Sequence, residues 1–420
     1  MSHVDVVVVG AGPAGLAAAA LIATTASVRV TVIDESPAPG GRLRAQIYRR
    51  NGSWFVGGDR ARTLAHGARE SGVTIESGCL VWSLDTRSAS DRGAEAEVSL
   101  DSPPRFRLGI SGGRTLTADY LIIATGAAET AYGLPGWTTP GVLAVGAVQT
   151  MLNVHRVLPG DRLAVIGIDP LSLSIVDELA AAGAPVQGVY LPPPSTATGP
   201  FTRPSEIFSR LAELRNLAPN RLLSAAMHVL RIPGITELVA RLWPAVGVRL
   251  AGMPLHLREC VVGIEGDTGV TAIRTSRVDA AGRPMGREKV IEVDSVCISG
   301  GLHPLQDLTR DCVLVDIAEL GGTVPLHGPD LETTVGGLYV AGNITGIESA
   351  LVAETQGRLA GTAVAARITG RVSQADLESA RTDVETARAS APISFMPRIV
   401  EGRHRMSELW AAHSTREATV

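Results

Sequence analysis

Lysine is almost absent from this chain. All but one of its 38 cationic side chains are arginine, and the exception, Lys289, lies in the polar run Gly286-Arg287-Glu288-Lys289. Chemistry that needs a lysine base or a Schiff-base amine is therefore not expected. Cysteine is scarce as well, and Cys79, Cys260, Cys297 and Cys312 are too scattered for a C-x-x-C pair, a zinc set or an iron–sulfur run. Nor does either charge dominate, with 38 cationic and 42 anionic side chains. A net charge of -4 creates no broad positive field, which removes the electrostatic basis for non-specific binding to nucleic acid or an anionic membrane. There is also no uninterrupted apolar run of about 20 residues, the length a membrane-spanning helix needs. Met1-Ser2-His3 leads straight into a strand without a basic n-region or cleavage site, so a cytoplasmic location is the expectation.

Glycine, by contrast, is plentiful. Its 46 occurrences in 420 residues exceed the usual share of about 7% and call for a repeated structural use. The chain is long enough for two or three domains with full cores, at roughly 100–200 residues each. Val4 to Val9 is a β-branched run stopped by Gly10, Ala14 to Ala23 is a strong helix former, and Val28 to Ile33 is a second strand. That order is a βαβ unit on a parallel sheet. Leu163 to Gly167, Leu171 to Ala182 and Val186 to Leu191 repeat it. Tyr120 to Ala127 reads as a buried strand ending in a glycine turn. Val293 to Ser299 and Gly337 to Gly342 read as strands that return to complete the first domain. Ser205 to about Trp243 is helical and arginine-dotted, either a docking surface or packed core, and the sequence beyond Gly370 is a polar, Ala/Arg/Glu-rich tail.

Gly10-Ala11-Gly12-Pro13-Ala14-Gly15 follows a strand and opens a helix. In such a turn the first glycine permits the bend, the second lets backbone approach a pyrophosphate, and the third lets helix and strand pack closely. The helix N-terminus then faces the phosphates with its positive end. Asp34, at the end of the next strand, is placed to accept hydrogen bonds from ribose hydroxyls, with Glu35 as the alternative. Pro39-Gly40-Gly41-Arg42 resembles the second glycine pair that passes the FAD phosphates in flavoproteins. Thr125 and Gly126 close the strand that leaves the first domain. Ala341-Gly342-Asn343-Ile344-Thr345-Gly346 supplies the far half of the site, with Asn343 at the ribityl position where such flavoproteins carry Asp. In the second βαβ unit the loop reads Gly167-Ile168-Asp169-Pro170-Leu171-Ser172. Asp169 stands where a pyrophosphate would approach, Ser172 replaces the packing glycine, and Tyr190-Leu191-Pro192 offers the ribose neither an acid nor an arginine. NAD(P)H is accordingly not expected to bind.

On these segments, with Gln46-Ile47-Tyr48-Arg49, Leu134-Pro135-Gly136-Trp137-Thr138-Thr139-Pro140-Gly141-Val142 and Gly357-Arg358-Leu359-Ala360-Gly361, the chain resembles the FAD-dependent subunits of bacterial amine and amino-acid dehydrogenases over about residues 4 to 370. The resemblance implies an α/β fold with two Rossmann-like dinucleotide-binding domains of the pyridine nucleotide-disulfide reductase type, the second inserted in the first, plus a helical tail. The expected division is 1–125 and 294–370 for the FAD-binding domain, 126–293 for the degenerate second domain with its helical insertion, and 371–420 for the tail. It further implies non-covalent FAD, a D-amino-acid-oxidase-like flavoprotein partner and a small [2Fe-2S] partner, the tail here having no cysteine. Arg42-Leu43-Arg44-Ala45 departs from the pattern by separating the glycine pair from Gln46. For acid–base work the sequence offers His303, after a buried strand, and Glu354, near the start of the last helix before the tail; Glu348 is expected to cap that helix.

Overall fold

The computed structural model describes residues 2–50, 53–86, 105–130, 132–195, 198, 202–204, 206–207, 248–250, 253–279, 281–391 and 395–417. The helical stretch expected from Ser205 to Trp243 therefore lies, apart from Glu206 and Ile207, outside the described residues. The chain forms two compact units, one made of residues 1–44, 57–128 and 302–420, the other of 45–56 and 129–301.

The first unit is built on a sheet of seven strands in the order Thr74–Ser77, Val30–Asp34, Ser2–Val9, Arg114–Ile123, Phe106–Ile110 and Val81–Asp85, with Leu338–Val340 pairing alongside Arg114–Ile123. The central pairings are parallel, and Phe106–Ile110 and Val81–Asp85 add an antiparallel edge. Val6, Val7 and Val8 are fully buried, as a continuous apolar run must be when both sheet faces are covered. One face is covered by the first helix, Pro13–Thr25, and the long helix Ala350–Thr369. These two approach so closely that a Cβ on Gly357 would sit 2.1 Å from the carbonyl oxygen of Ala14. The Gly357-to-Gly361 spacing thus lays one bare helix face on the Ala14–Ala18 face of the other.

The tail is helical. Gln374–Ala389 starts with Ser373 and Asp376 in a reciprocal capping box, and Ile399–Glu417 follows. Val384 and Ala387 join the core around the first helix, while Ile399 and Met406 pack with Ile317, Leu320, Val324 and Leu326.

The second unit holds a sheet in the order Val142–Ala144, Ser295–Ile298, Leu163–Ile166, Val186–Leu191, Met253–Glu265, Ala272–Val278 and Pro284–Glu292, with Val248–Leu250 paired to Met253–Glu265. Two expectations change here. Ser295–Ile298 does not return to the first sheet but runs parallel to Leu163–Ile166, with Val296 fully buried. A short apolar strand between two glycine turns reads alike in either sheet, and only pairing decides which one receives it. The hairpin Ile47–Arg50 and Ser53–Val56, joined by a Tyr48–Phe55 ring contact at 4.7 Å, also groups with the second unit. There the Asn153 amide donates to the Ala45 carbonyl at 2.7 Å. Leu338–Val340 does return to the first sheet, as expected.

Candidate functional site

The site in the first unit lies past the C-terminal ends of the parallel strands Ser2–Val9, Val30–Asp34 and Leu338–Val340, where a doubly wound sheet opens a crevice. The glycines of Gly10–Gly15 have three different reasons to be glycine. Gly10 has φ +107°, and a Cβ there would lie 2.3 Å from the Ala124 carbonyl oxygen. A Cβ on Gly15 would lie 1.9 Å from the Gly10 carbonyl oxygen, so helix and turn touch backbone to backbone. Gly12 is the opposite case: its φ is -73° and an added Cβ would meet nothing within 4 Å. Neither strain nor packing asks for glycine at 12, which leaves room for a ligand as its use. Gly12 is also the N-cap of the first helix, with no side-chain hydrogen bond to the cap, Pro13 in the first turn and no acidic residue there. The amides that every helix leaves unpaired at its start are here free of side-chain acceptors.

The other predicted segments converge on this turn. Gly40 donates its N–H to the Ala11 carbonyl at 2.7 Å, and a Cβ on Gly41 would come 3.1 Å from Gly12 Cα. Gly342, with φ +80°, closes over the first helix, 3.0 Å separating its would-be Cβ from Ala14 Cβ. Thr125 donates its hydroxyl to the Leu305 carbonyl at 2.8 Å, and the Gly126 carbonyl accepts from Leu305 N at 3.1 Å. Arg42 is exposed within the 3-10 turn Gly41–Ala45, which is how the four-residue departure noted in the sequence is accommodated.

Five candidate residues take positions or partners that the sequence pattern did not specify. Asp34 is buried and spends its carboxylate on backbone, Oδ2 accepting from Ala11 N at 2.5 Å and Oδ1 from Ser36 N at 2.8 Å. It braces the glycine turn, and the exposed acid at this strand end is Glu35. Asn343 Oδ1 accepts the Glu348 N–H at 3.1 Å, so this side chain shapes its own loop. Glu348 does not cap the following helix. Ser349 does, its hydroxyl accepting from Val352 N at 3.4 Å, while Glu348 binds two arginines of the tail. Glu354 is buried and held by Arg60 at 2.5 Å and Arg358 at 2.8 Å. His303 is exposed on the short strand Leu302–Pro304.

The sequence signal that would have identified the Arg388–Glu348–Arg403 cluster is weak, because its members are 40 and 55 residues apart on polar helices. Burial pushes the Glu348 carboxyl up, but the Arg403 and Arg388 guanidiniums outweigh it and hold the group below the usual carboxylate range. Burial pushes the Cys260 and Cys312 thiols up to about 11, so neither offers a thiolate at neutral pH.

In the second unit the corresponding turn is closed by its own residues. Asp169 is the N-cap of Pro170–Ala181, its Oδ1 accepting from Leu171 N at 2.8 Å and Ser172 N at 2.9 Å. Ser172 Oγ accepts in turn from Asp169 N at 3.0 Å, and Ser299 Oγ donates to Asp169 Oδ2 at 2.5 Å. A carboxylate of the protein thus takes the amides that a phosphate would take. At the following strand end Tyr190 is buried and stacked on His256, with ring centroids 4.6 Å apart.

Comparison with known proteins agrees with this architecture. The chain is 30% identical over 413 residues to an opine oxidase subunit from Agrobacterium tumefaciens (strain Ach5), an alignment covering 97% of this chain and 72% of that protein. It is 26% identical over 358 residues to hydrogen cyanide synthase subunit HcnB of Pseudomonas aeruginosa, covering 84% and 69%. The corresponding opine oxidase subunit from Rhizobium meliloti is matched over 61% of its length, so the chain is shorter than these relatives. Among solved structures, L-proline dehydrogenase from P. horikoshii superposes with a TM-score of 0.61 at 17% identity, covering 92% of this chain and 59% of that one. Thioredoxin reductase from T. acidophilum gives 0.59 at 20% identity, covering 87% and 99%. At those identities the superpositions speak for the fold alone. No helix among the described residues is long and apolar enough to cross a membrane. The family model for pyridine nucleotide-disulphide oxidoreductases matches residues 4–357, and the chain belongs to that family of oxidoreductases, as a relative of the opine oxidase, hydrogen cyanide synthase and sarcosine oxidase subunits.

Proposed function

We propose that this chain is the FAD-carrying subunit of a heteromeric dehydrogenase or oxidase acting on a small amine, imino acid, amino acid or opine. The observation that carries the reading is the open Gly12 backbone at an uncapped helix start, with Gly41 and Gly342 folded against it. These residues fit the pyrophosphate of a non-covalently bound FAD: the helix amides and the turn donate to it, and Glu35 offers its carboxylate to the adenosine ribose. Gly40, Gly41, Thr125, Gly126, Gly342 and Asn343 line the remainder. The bound flavin would supply the two-electron chemistry.

Asp169 supports a flavin that is not fed by NAD(P)H, since its carboxylate repels a pyrophosphate at the very amides the nucleotide needs. The relatives are named as subunits, which supports partner chains; a D-amino-acid-oxidase-like flavoprotein and a small [2Fe-2S] protein are the partners proposed. A second reading, in which this chain relays electrons and a partner oxidises the substrate, is favoured by the placement of the two acid–base candidates. Glu354 is held in ion pairs with two guanidiniums and His303 is exposed.

Co-expression with neighbouring reading frames, affinity purification and a dye-linked amine dehydrogenase assay tests the proposal. A yellow protein whose flavin is released by acid, assembled with partners and bleached by an amine substrate but not by NADH or NADPH, is the expected result. A colourless protein, or millisecond-to-second bleaching by a nicotinamide, would overturn it. Bleaching by amine only when the partner flavoprotein is present would select the relay reading.

A further inference from the structure

The tail beyond Gly370 is not explained by the motifs, yet it reaches back to the loop after Gly342. Arg403, in the last helix, donates from one guanidinium nitrogen to the Thr345 carbonyl at 2.8 Å, and from the other to the Thr345 hydroxyl at 3.1 Å and Glu348 at 2.5 Å. Arg388, at the end of the preceding helix, forks onto the same carboxylate at 2.5 and 3.1 Å. Gln356 donates to Glu348 at 3.3 Å, while its carbonyl oxygen accepts from Gly342 N at 2.8 Å and from the Thr345 hydroxyl at 3.1 Å. Asn343 closes the circuit through Glu348 N. A Cβ on Gly346 would stand 3.0 Å from the Arg403 guanidinium and 3.2 Å from the Leu320 side chain, so the loop lies close against both.

Packing alone does not call for this arrangement. Two helices that merely needed to cover a core would do so with apolar side chains, because a buried ion pair contributes little net stability against the cost of desolvating it. What a forked, charge-assisted contact to a carbonyl and a carboxylate does fix is geometry. The contacts fall on one turn, Asn343–Thr345, and on the residue that receives the Asn343 side chain.

We propose that the two C-terminal helices are a clasp on the cofactor loop, in which Arg403 and Arg388 act as positioning residues that hold Gly342–Gly346 in the shape that receives FAD. The proposal rests on the reading above that this loop lines the FAD site. The chain would then bind flavin through a segment that none of its glycine motifs contains. By reciprocity of coupled binding, FAD and the docked tail should stabilise one another.

The test begins with wild-type protein stripped of flavin and titrated with FAD. If it binds none, the cofactor reading itself fails and the clasp with it. If it binds, Arg403→Gln should raise the FAD dissociation constant about tenfold or more while the apoprotein keeps its far-UV circular dichroism, since a lost hydrogen bond to a charged group is worth roughly that much. Arg403→Lys, which keeps the charge without the fork, should recover part of the affinity. Hydrogen exchange on the wild type with and without FAD needs no variant and decides the matter if Arg403→Gln fails to fold: FAD should slow exchange in residues 399–406 as well as in 342–348. An FAD affinity within twofold of wild type in a folded Arg403→Gln, or protection confined to 342–348, would overturn the proposal.

Discussion

Two helix starts in this molecule follow the same strand-turn-helix pattern and end differently. At Gly12 the amides of Pro13–Thr25 have no side-chain acceptor and the backbone faces open space. At Asp169 the amides of Pro170–Ala181 are taken by a carboxylate, with Ser172 completing the box and Ser299 binding the second oxygen. Every helix leaves unpaired donors at its N-terminus, and something must accept from them. A turn that keeps them free favours an anionic ligand. A turn that satisfies them internally keeps the fold and leaves those amides already paired. Asp169 and Ser172 stand in the second turn where Gly12 and Gly15 stand in the first.

The sharpest way to break this comparison is to add side chains inside the first turn. Gly15→Val should cost about 3 kcal/mol or more of stability, because its Cβ begins 1.9 Å from backbone and the turn would have to open; urea unfolding measures this. Gly12→Val should behave in the contrary way, with the unfolding midpoint of the apoprotein close to wild type and FAD affinity reduced by about 100-fold, equivalent to about 2.7 kcal/mol. Equal losses of stability in the two variants would mean that Gly12 serves packing after all. Retention of full flavin affinity in Gly12→Val would refute the placement of the phosphates.

The second helix offers a pH test. Glu178 is buried, accepting from Gln149 at 2.9 Å, from Ser174 at 3.2 Å and from Asn153, with no cation among these partners. Burial is the main cause that pushes its carboxyl from an ordinary 4.5 to about 7. The folded state therefore holds this proton more tightly than the unfolded state does. The stabilisation is fully present below about pH 4.5 and is lost as pH rises through about 7. Glu178→Gln should flatten that part of the stability-versus-pH curve and at pH 8 raise stability by on the order of 2 kcal/mol. An unchanged slope between pH 5 and 8 in chemical denaturation would show that the group is already solvated.

The smallest expected effect is at the cap itself. Asp169→Ala should cost about 1 kcal/mol, the usual value of an N-cap, read as a small fall in the denaturant midpoint. Asp169→Gly with Ser172→Gly, which recreates a glycine turn, should give measurable nicotinamide binding by calorimetry if the carboxylate is the obstacle. Binding as weak as in the wild type would move the obstacle to the buried Tyr190 at the strand end.

Much of the first unit could be read from residue order. A β-branched run, a glycine turn and an alanine-rich helix leave little freedom, since each local preference agrees with the next. The carboxylate in the second turn was equally visible at Asp169, though that it pairs with the Leu171 and Ser172 amides was not. The roles of individual acids were less readable. Asp34 sits at the strand end as the pattern requires, but whether its oxygens face a ribose or the Ala11 and Ser36 amides depends on how two turns meet. Glu348 precedes a helix as a capping residue would, yet Ser349 took that place.

The sequence by itself determined the two nucleotide-type βαβ units, the tight turn at Gly10 with close packing at Gly15, and the carboxylate in the second turn, because these follow from local sterics and charge over a few residues; that Asp169 caps its own helix was seen only in the structure. Only the tertiary structure decided that Ser295–Ile298 joins the second sheet, that Gly41 and Gly342 close on Gly12 and Ala14, and that Arg388 and Arg403 return to Glu348. Those pairings join residues far apart in the chain, and an isolated strand or an arginine on a polar helix carries no local mark of its partner.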